Sequence, residues 1–186
     1  MLHILEYSHG WKSDFNAIRD YLNKHVSTWP ASIEHVGSTA IPGLASRPII
    51  DIDIIISHDH VSHTQIKLIE SLGYNYKGEK GISGRHAFGQ LNSLPKHHLY
   101  LCILGSEGLK NHLLFRDYLL SHPQKVAEYS ALKKQLSIMH PYDRQSYIRG
   151  KTRFIVQCLR EAGLCEQYIR QIEQINNARK SSPRND

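Results

Sequence analysis

Apolar residues along this chain follow helical and strand periods in turn up to about residue 106, and helical periods alone beyond it. Phe15, Ile18, Leu22 and Val26 recur at helical spacing and predict a helix over 12–28, ending before Trp29-Pro30, where proline cannot continue it. Ser32 to Val36 reads as a short strand, and Gly43 with Pro42 and Pro48 keeps residues 37–48 irregular. The strongest strand signal is 49–56. There Ile50, Ile52, Ile54 and Ile56 alternate onto one face, which puts Asp51 and Asp53 side by side on the other. Val61, Ile66, Ile69 and Leu72 predict a helix stopped by Gly73. Residues 74–77, 84–91 and 97–104 read as three further short strands separated by glycine-rich segments.

Four helical stretches follow. Leu113, Leu114, Tyr118 and Leu119 lead up to Pro123, and Val126, Tyr129, Leu132 and Leu136 form the next. Tyr147, Ile148, Lys151, Phe154, Ile155 and Leu159 form a third, closed near Gly163; Leu164, Tyr168, Ile169, Ile172 and Ile175 form the last. Strands first and helices later imply an α+β protein. We expect a single domain over 1–175, with a sheet-containing core in 1–105, a helical lobe in 106–175, and a polar, flexible tail in 176–186. There is no internal repeat and no low-complexity segment.

With 186 residues and 40% apolar content, the chain is long enough for one well-cored domain. Lys plus Arg (23) exceed Asp plus Glu (17), a formal charge of +6 before any of the 13 histidines protonates. That favours an anionic partner such as a nucleotide, a polyphosphate or a nucleic acid. The opening Met-Leu-His-Ile-Leu-Glu-Tyr has no basic n-region, and no apolar run approaches membrane-spanning length, so a cytoplasmic protein without a membrane partner is expected. Cys102, Cys158 and Cys165 have no CxxC spacing; neither a disulfide framework nor a zinc knuckle is signalled, and Cys102 reads as an inert core thiol.

The candidate chemistry centres on Asp51 and Asp53. Desolvating an unpaired carboxylate costs several kcal/mol, so the pair calls for a cation, and adjacent carboxylates are a natural grip for Mg²⁺ or Mn²⁺. Gly37 and Ser38 precede them by about a dozen residues. Backbone N–H groups of such a turn approach phosphate oxygens closely, and the Ser38 hydroxyl adds a donor. The competing reading is a plain turn with salt-bridged aspartates. His58, His60 and His63 read as an exposed helix start rather than a metal tract, and Tyr118, Tyr129, Tyr147 and Phe154 as lobe core.

His35-Val-Gly-Ser-Thr39, Ile41-Pro-Gly-Leu44 and Arg47-Pro-Ile-Ile-Asp-Ile-Asp53 resemble the GrpB-like family of the nucleotidyltransferase superfamily, the DNA polymerase β type. Phe115-Arg-Asp-Tyr-Leu119, Pro123, Tyr129-Ser-Ala-Leu-Lys133 and Tyr147, Lys151 and Phe154 resemble that family's helical half, so the likeness spans about residues 10–160. It implies a nucleotidyltransferase-like fold, a mixed sheet core with flanking helices and a C-terminal helical lobe. It also implies metal-dependent transfer of a nucleotidyl group from a nucleoside triphosphate to an unidentified acceptor. Asp51 and Asp53 would hold Mg²⁺ or Mn²⁺ and act in catalysis with His98, as ligand or base. Gly37, Ser38, Arg47, Arg85, Arg116 and Lys151 would bind the nucleotide and its phosphates, unless Arg116 and Lys151 merely pair with acids such as Asp117 or Glu161. One departure matters. The superfamily usually adds a third carboxylate from a later strand, and His97 to Cys102 has none; Glu79 and Asp117 are the remaining candidates. That leaves a catalytically weak nucleotide-binding or regulatory module as the alternative. RNA binding, suggested by charge alone, is weaker still, because no RNP motif or KH-like clamp is present.

Overall fold

The computed structural model of the protein describes residues 1–26, 29–30 and 32–178. Helix α1 (Gly10–Val26) leads into strand β1 (Ser32–Val36), a single 3-10 turn (Ser38–Ala40) and strand β2 (Ile50–Ile56). Helix α2 (His63–Ser71), β3 (Arg85–Phe88) and β4 (His97–Ile103) follow. The second half is α3 (Glu107–Ser121), α4 (Pro123–Met139), α5 (Arg144–Glu161) and α6 (Glu166–Ala178). The strands form one mixed sheet in the order β1-β2-β4-β3, with β2 and β4 parallel and both outer pairs antiparallel.

The isoleucine alternation of β2 is what orients this sheet. Ile50, Ile52, Ile54 and Ile56 are buried against Ile18, Leu22 and Val26 of α1, Ile69 of α2, and Leu99 and Leu101 of β4. The opposite face carries Asp51 and Asp53 and, further along, packs Ile55 and Cys102 on Leu109 of α3. Helix α2 starts at a capping box in which the Gln65 N–H donates to Ser62 Oγ and the Ser62 N–H to Gln65 Oε1. In the helical half, Tyr129 stacks on Phe154 at 4.7 Å and meets Phe115 edge-on at 5.5 Å. Ile41 and Leu44 insert into that cluster beside Leu119 and Val126. The irregular segment after the Gly-Ser turn is thereby clamped by α4: the Ala45 N–H donates to Ser130 Oγ (3.0 Å) and Lys133 Nζ to Ser46 Oγ (3.1 Å).

Two expectations need correcting. Residues 74–77 are not a strand; Tyr76 makes one isolated bridge to Phe88, because Gly73 and Gly78, both at positive φ, turn the chain on either side. The polar end at Asn176 does not begin a tail. Helix α6 continues to Ala178, and the Asn176 side-chain amide donates to Thr152 Oγ1 at 3.1 Å; residues 179–186 lie outside the described residues.

Candidate functional site: a cleft between the sheet and the helical half

Strand register builds the first part of the site. Val36 stands opposite Asp51, so the chain leaving β1 passes directly over that carboxylate. Gly37 makes the passage possible. Its backbone (φ 68, ψ −169) lies in a region that glycine alone occupies readily, and a Cβ there would sit 2.3 Å from Asp51 Oδ2. The same register places His98 of β4 beside Asp51, whose Oδ1 accepts a 2.8 Å hydrogen bond from His98 Nδ1. Burial pushes the Asp51 carboxyl up, but the hydrogen bond and charge of His98, together with the charges of His112 and Arg47, outweigh it, and the group stays below the ordinary aspartate value.

Asp53 is different. Its side chain is fully buried, and both oxygens lie within reach of His112 Nδ1, at 2.9 and 3.1 Å. His112 comes from α3, on the face shared by Leu109 and Phe115. Its Nε2 is 3.4 Å from Arg85 Nη1, and the Arg85 guanidinium lies 4.9 Å from the centre of the Tyr100 ring. Burial and the Asp51 charge push the Tyr100 phenol up, so it stays protonated.

Gly37, Ser38, Asp51, Arg85, His112 and Lys151 line one end of a cleft of about 630 Å³. Arg85 is 8% exposed, has no carboxylate at ion-pair distance among the described residues, and its Nε has no hydrogen-bond partner. Lys151 rests 4.5 Å from the centre of the Tyr147 ring; burial, and then the Arg47 charge, bring its ammonium down to about 8. Just behind, Lys133 is buried over the Tyr129 ring, and burial with the charges of Lys151 and Arg47 lowers it to about 6. Arg85 and Lys151 share the cleft lining with Asp51 and Glu107, and of these it is the Arg85 guanidinium, buried without an acid at ion-pair distance among the described residues, that fits an anionic ligand.

The family model described as GrpB protein matches residues 1–161. The chain belongs to the GrpB family. The UPF0157 protein YqkA of Bacillus subtilis is 36% identical over 152 residues, 82% of this chain but only 44% of that protein. The glutamate-rich protein GrpB of Alkalihalophilus pseudofirmus is 31% identical over 163 residues, 85% of this chain and 94% of that one. Among solved structures, the conserved protein GrpB from Enterococcus faecalis superposes with a TM-score of 0.76 at 32% identity, covering 86% of this chain and 96% of that chain. The Cid1 poly(U) polymerase superposes with a TM-score of 0.51 at 12% identity, over 80% of this chain and 50% of that one. That likeness concerns the fold alone, and it makes this GrpB-family chain a nucleotidyltransferase-type α+β fold. Among the described residues, no helix is long and apolar enough to cross a membrane.

The structure brings together Gly37, Ser38, Asp51, Arg85 and Lys151 of the residues read from the sequence. Arg47 is half-buried and acts on Asp51 and Lys151 through its charge, without lining the cleft. Arg116 is not brought in. Its guanidinium donates to Glu34 (2.9 Å), Asp117 (2.7 Å) and the His35 carbonyl (3.0 Å), an ion-paired strut between α3 and β1. Glu161 accepts from the Tyr118 hydroxyl rather than pairing with Lys151, and Glu79 caps the Gly84 N–H. His97 points away from Asp51, between the Tyr74 hydroxyl and the Pro95 carbonyl. Sequence reasoning missed His112; the available signal was a histidine on the apolar stripe between Leu109 and Phe115. Among the described residues, no three His, Cys, Asp or Glu side chains form a metal cluster. The chemistry of the two carboxylates suits a hard divalent cation, but His98 Nδ1 covers Asp51 Oδ1 and His112 Nδ1 covers both oxygens of Asp53, so a cation held there would have to displace these hydrogen bonds.

Proposed function

We propose that this GrpB-family protein binds a nucleoside triphosphate in the cleft and transfers its nucleotidyl group, with Mg²⁺ or Mn²⁺, to an unidentified acceptor. The observation that carries this reading is Arg85, a buried guanidinium without an acid partner among the described residues, in the cleft that Asp51 also lines. A buried unpaired charge is costly, and a bound phosphate would remove that cost while Lys151 shares the neutralisation. Gly37 and Ser38 supply a close backbone approach and a hydroxyl donor. Asp51 and Asp53 would hold the metal, which when bound neutralises phosphate charge and lowers the pKa of a coordinated oxygen. His98 keeps Asp51 oriented. His112, with Nδ1 donating to Asp53 and Nε2 accepting from Arg85 Nη1, holds the carboxylate and the guanidinium in place where it lines the cleft.

Each labelled nucleoside triphosphate, incubated with Mg²⁺ or Mn²⁺ and a panel of acceptors, tests the reading. Transfer should occur and fall by at least about 100-fold in Asp51→Asn and Asp53→Asn. Absence of any aspartate-dependent transfer overturns it. A second reading, a nucleotide-binding module with weak catalysis, is favoured by His112 covering both Asp53 oxygens and by the missing third carboxylate. Nucleotides that raise the melting temperature without ever turning over would select it.

A further inference from the structure

The cleft has two chemically different ends. Beyond the cationic end it is walled by α3, α5 and α6, where Ile155, Ile172 and Ile175 supply apolar surface. The side-chain amides of Asn111 and Gln171 line the same space. Both are half-buried, and neither has a side-chain hydrogen-bond partner among the described residues. None of the α6 residues lining the cleft is basic, and Glu107, whose charge acts on Tyr168, puts a negative charge there. This end therefore disfavours a second phosphate. It suits a flat, uncharged group with apolar faces and a polar edge, because an amide offers one acceptor and two donors in a plane, the pattern that a nucleobase edge complements. A volume of about 630 Å³ holds such a group as well as phosphates. Helix α6 lies outside the span of the family match, which ends at residue 161.

We propose that the far end of the cleft takes the base of the bound nucleotide, with Asn111 and Gln171 reading its edge and α6 acting as the specificity wall. This rests on the nucleotide reading above, and names what discriminates among nucleotides. The other source of such a ring is the acceptor, and the experiment separates the two.

Calorimetric titration of the full chain with each of the four ribonucleoside triphosphates, and with inorganic tripolyphosphate, is the first arm. At least one triphosphate should bind about tenfold more tightly than tripolyphosphate, and Asn111→Ala and Gln171→Ala should each weaken it about 3- to 10-fold. Tripolyphosphate affinity should stay within about twofold, which a general loss of structure would not allow. The second arm is photolabelling with a triphosphate that carries an azide on its base, which should mark residues 168–176. Equal affinity of triphosphates and tripolyphosphate, variants that change neither or both alike, or labelling elsewhere overturns the proposal. If the label misses α6 while the triphosphates bind normally, the far end belongs to the acceptor ring and the base assignment is wrong. If neither triphosphates nor tripolyphosphate bind, the nucleotide reading falls as well, and the base assignment with it.

Discussion

The two sides of the cleft are held in place by different physics, and two glycines expose the difference. On the sheet side, Asp51 is fixed by hydrogen-bonded register to Val36 and His98, and the backbone of Gly37 lies against it. On the helical side, Gly150 of α5 faces Leu136 of α4, where an added Cβ would meet Leu136 Cδ2 at 2.4 Å. Both contacts are too short for a side chain. The first is against a carboxylate held by a ladder and a hydrogen bond; the second is against the free end of a flexible side chain. The sheet side should therefore resist change sharply, and the helical side should absorb it.

The largest expected effect is Gly37→Ala. It combines a positive-φ conformation with a 2.3 Å contact to Asp51 Oδ2, so either the turn or the carboxylate must move. We expect a loss of roughly 3 kcal/mol and a fall in melting temperature of about 6–12 °C. If Asp51 moves instead of the turn, stability is partly kept, while nucleotide- and metal-dependent stabilisation disappears. A variant with native melting and native ligand response would break the comparison, because it would mean that Asp51 is not held by this turn.

The same contrast explains what the sequence disclosed. A period of two along β2 predicts which face Asp51 and Asp53 occupy, since strand geometry follows from local alternation. The turn at Gly37 was legible for the same reason: a glycine after a strand marks a conformation other residues avoid. His112 was not legible as a site residue. Its role depends on how α3 docks on the sheet, 59 residues from Asp53, and no local period encodes that docking. For Arg116 the sequence leaves open both a phosphate contact and a pairing with its neighbour Asp117; the pairing is what forms, and its second partner, Glu34, lies 82 residues away on β1, beyond any local signal. Helix α6 was predicted from its isoleucines, but that it walls the cleft, and continues past Asn176, emerged only from its packing against α5. The resemblance to the GrpB family carried the fold further than periodicity could, since it linked two halves that periodicity treats separately.

A smaller effect is expected at the seam between the two sides, where Lys133 of α4 reaches Ser46. Burial, with the charges of Lys151 and Arg47, brings the Lys133 ammonium from 10.5 to about 6. A group whose folded pKa lies below its unfolded value binds its proton more readily in the unfolded chain, so stability rises with pH between about 6 and 10.5. Lys151 adds to that rise from about 8 upward. Lys133→Met removes the first contribution, and Ser46 Oγ keeps its hydrogen bond to the Leu44 carbonyl. Melting followed from pH 6 to 10 should rise a few degrees less in the variant than in the natural chain, with the two curves closest at the alkaline end. Parallel curves would show that Lys133 is solvated, and that the seam is looser than its burial implies.

The smallest effect sharpens the comparison most directly. Replacing Gly150 by alanine gains about 1 kcal/mol of helix propensity in the middle of α5. Against that stands the displacement of Leu136, whose Cδ atoms lie 2.4 and 2.9 Å from the new methyl and whose Cγ lies at 3.2 Å. Overpacking a core usually costs about 1–3 kcal/mol, and here the atoms that must give way are mainly a side-chain terminus, so the lower part of that range applies. The two contributions nearly cancel. Gly150→Ala should shift the melting temperature by no more than about 4 °C, downward, and leave ligand-induced stabilisation intact because Lys151 keeps its place on the next residue. A fall as large as that of Gly37→Ala would mean that α4 and α5 are locked as rigidly as the strands, and the contrast between the two sides of the cleft would have to be given up.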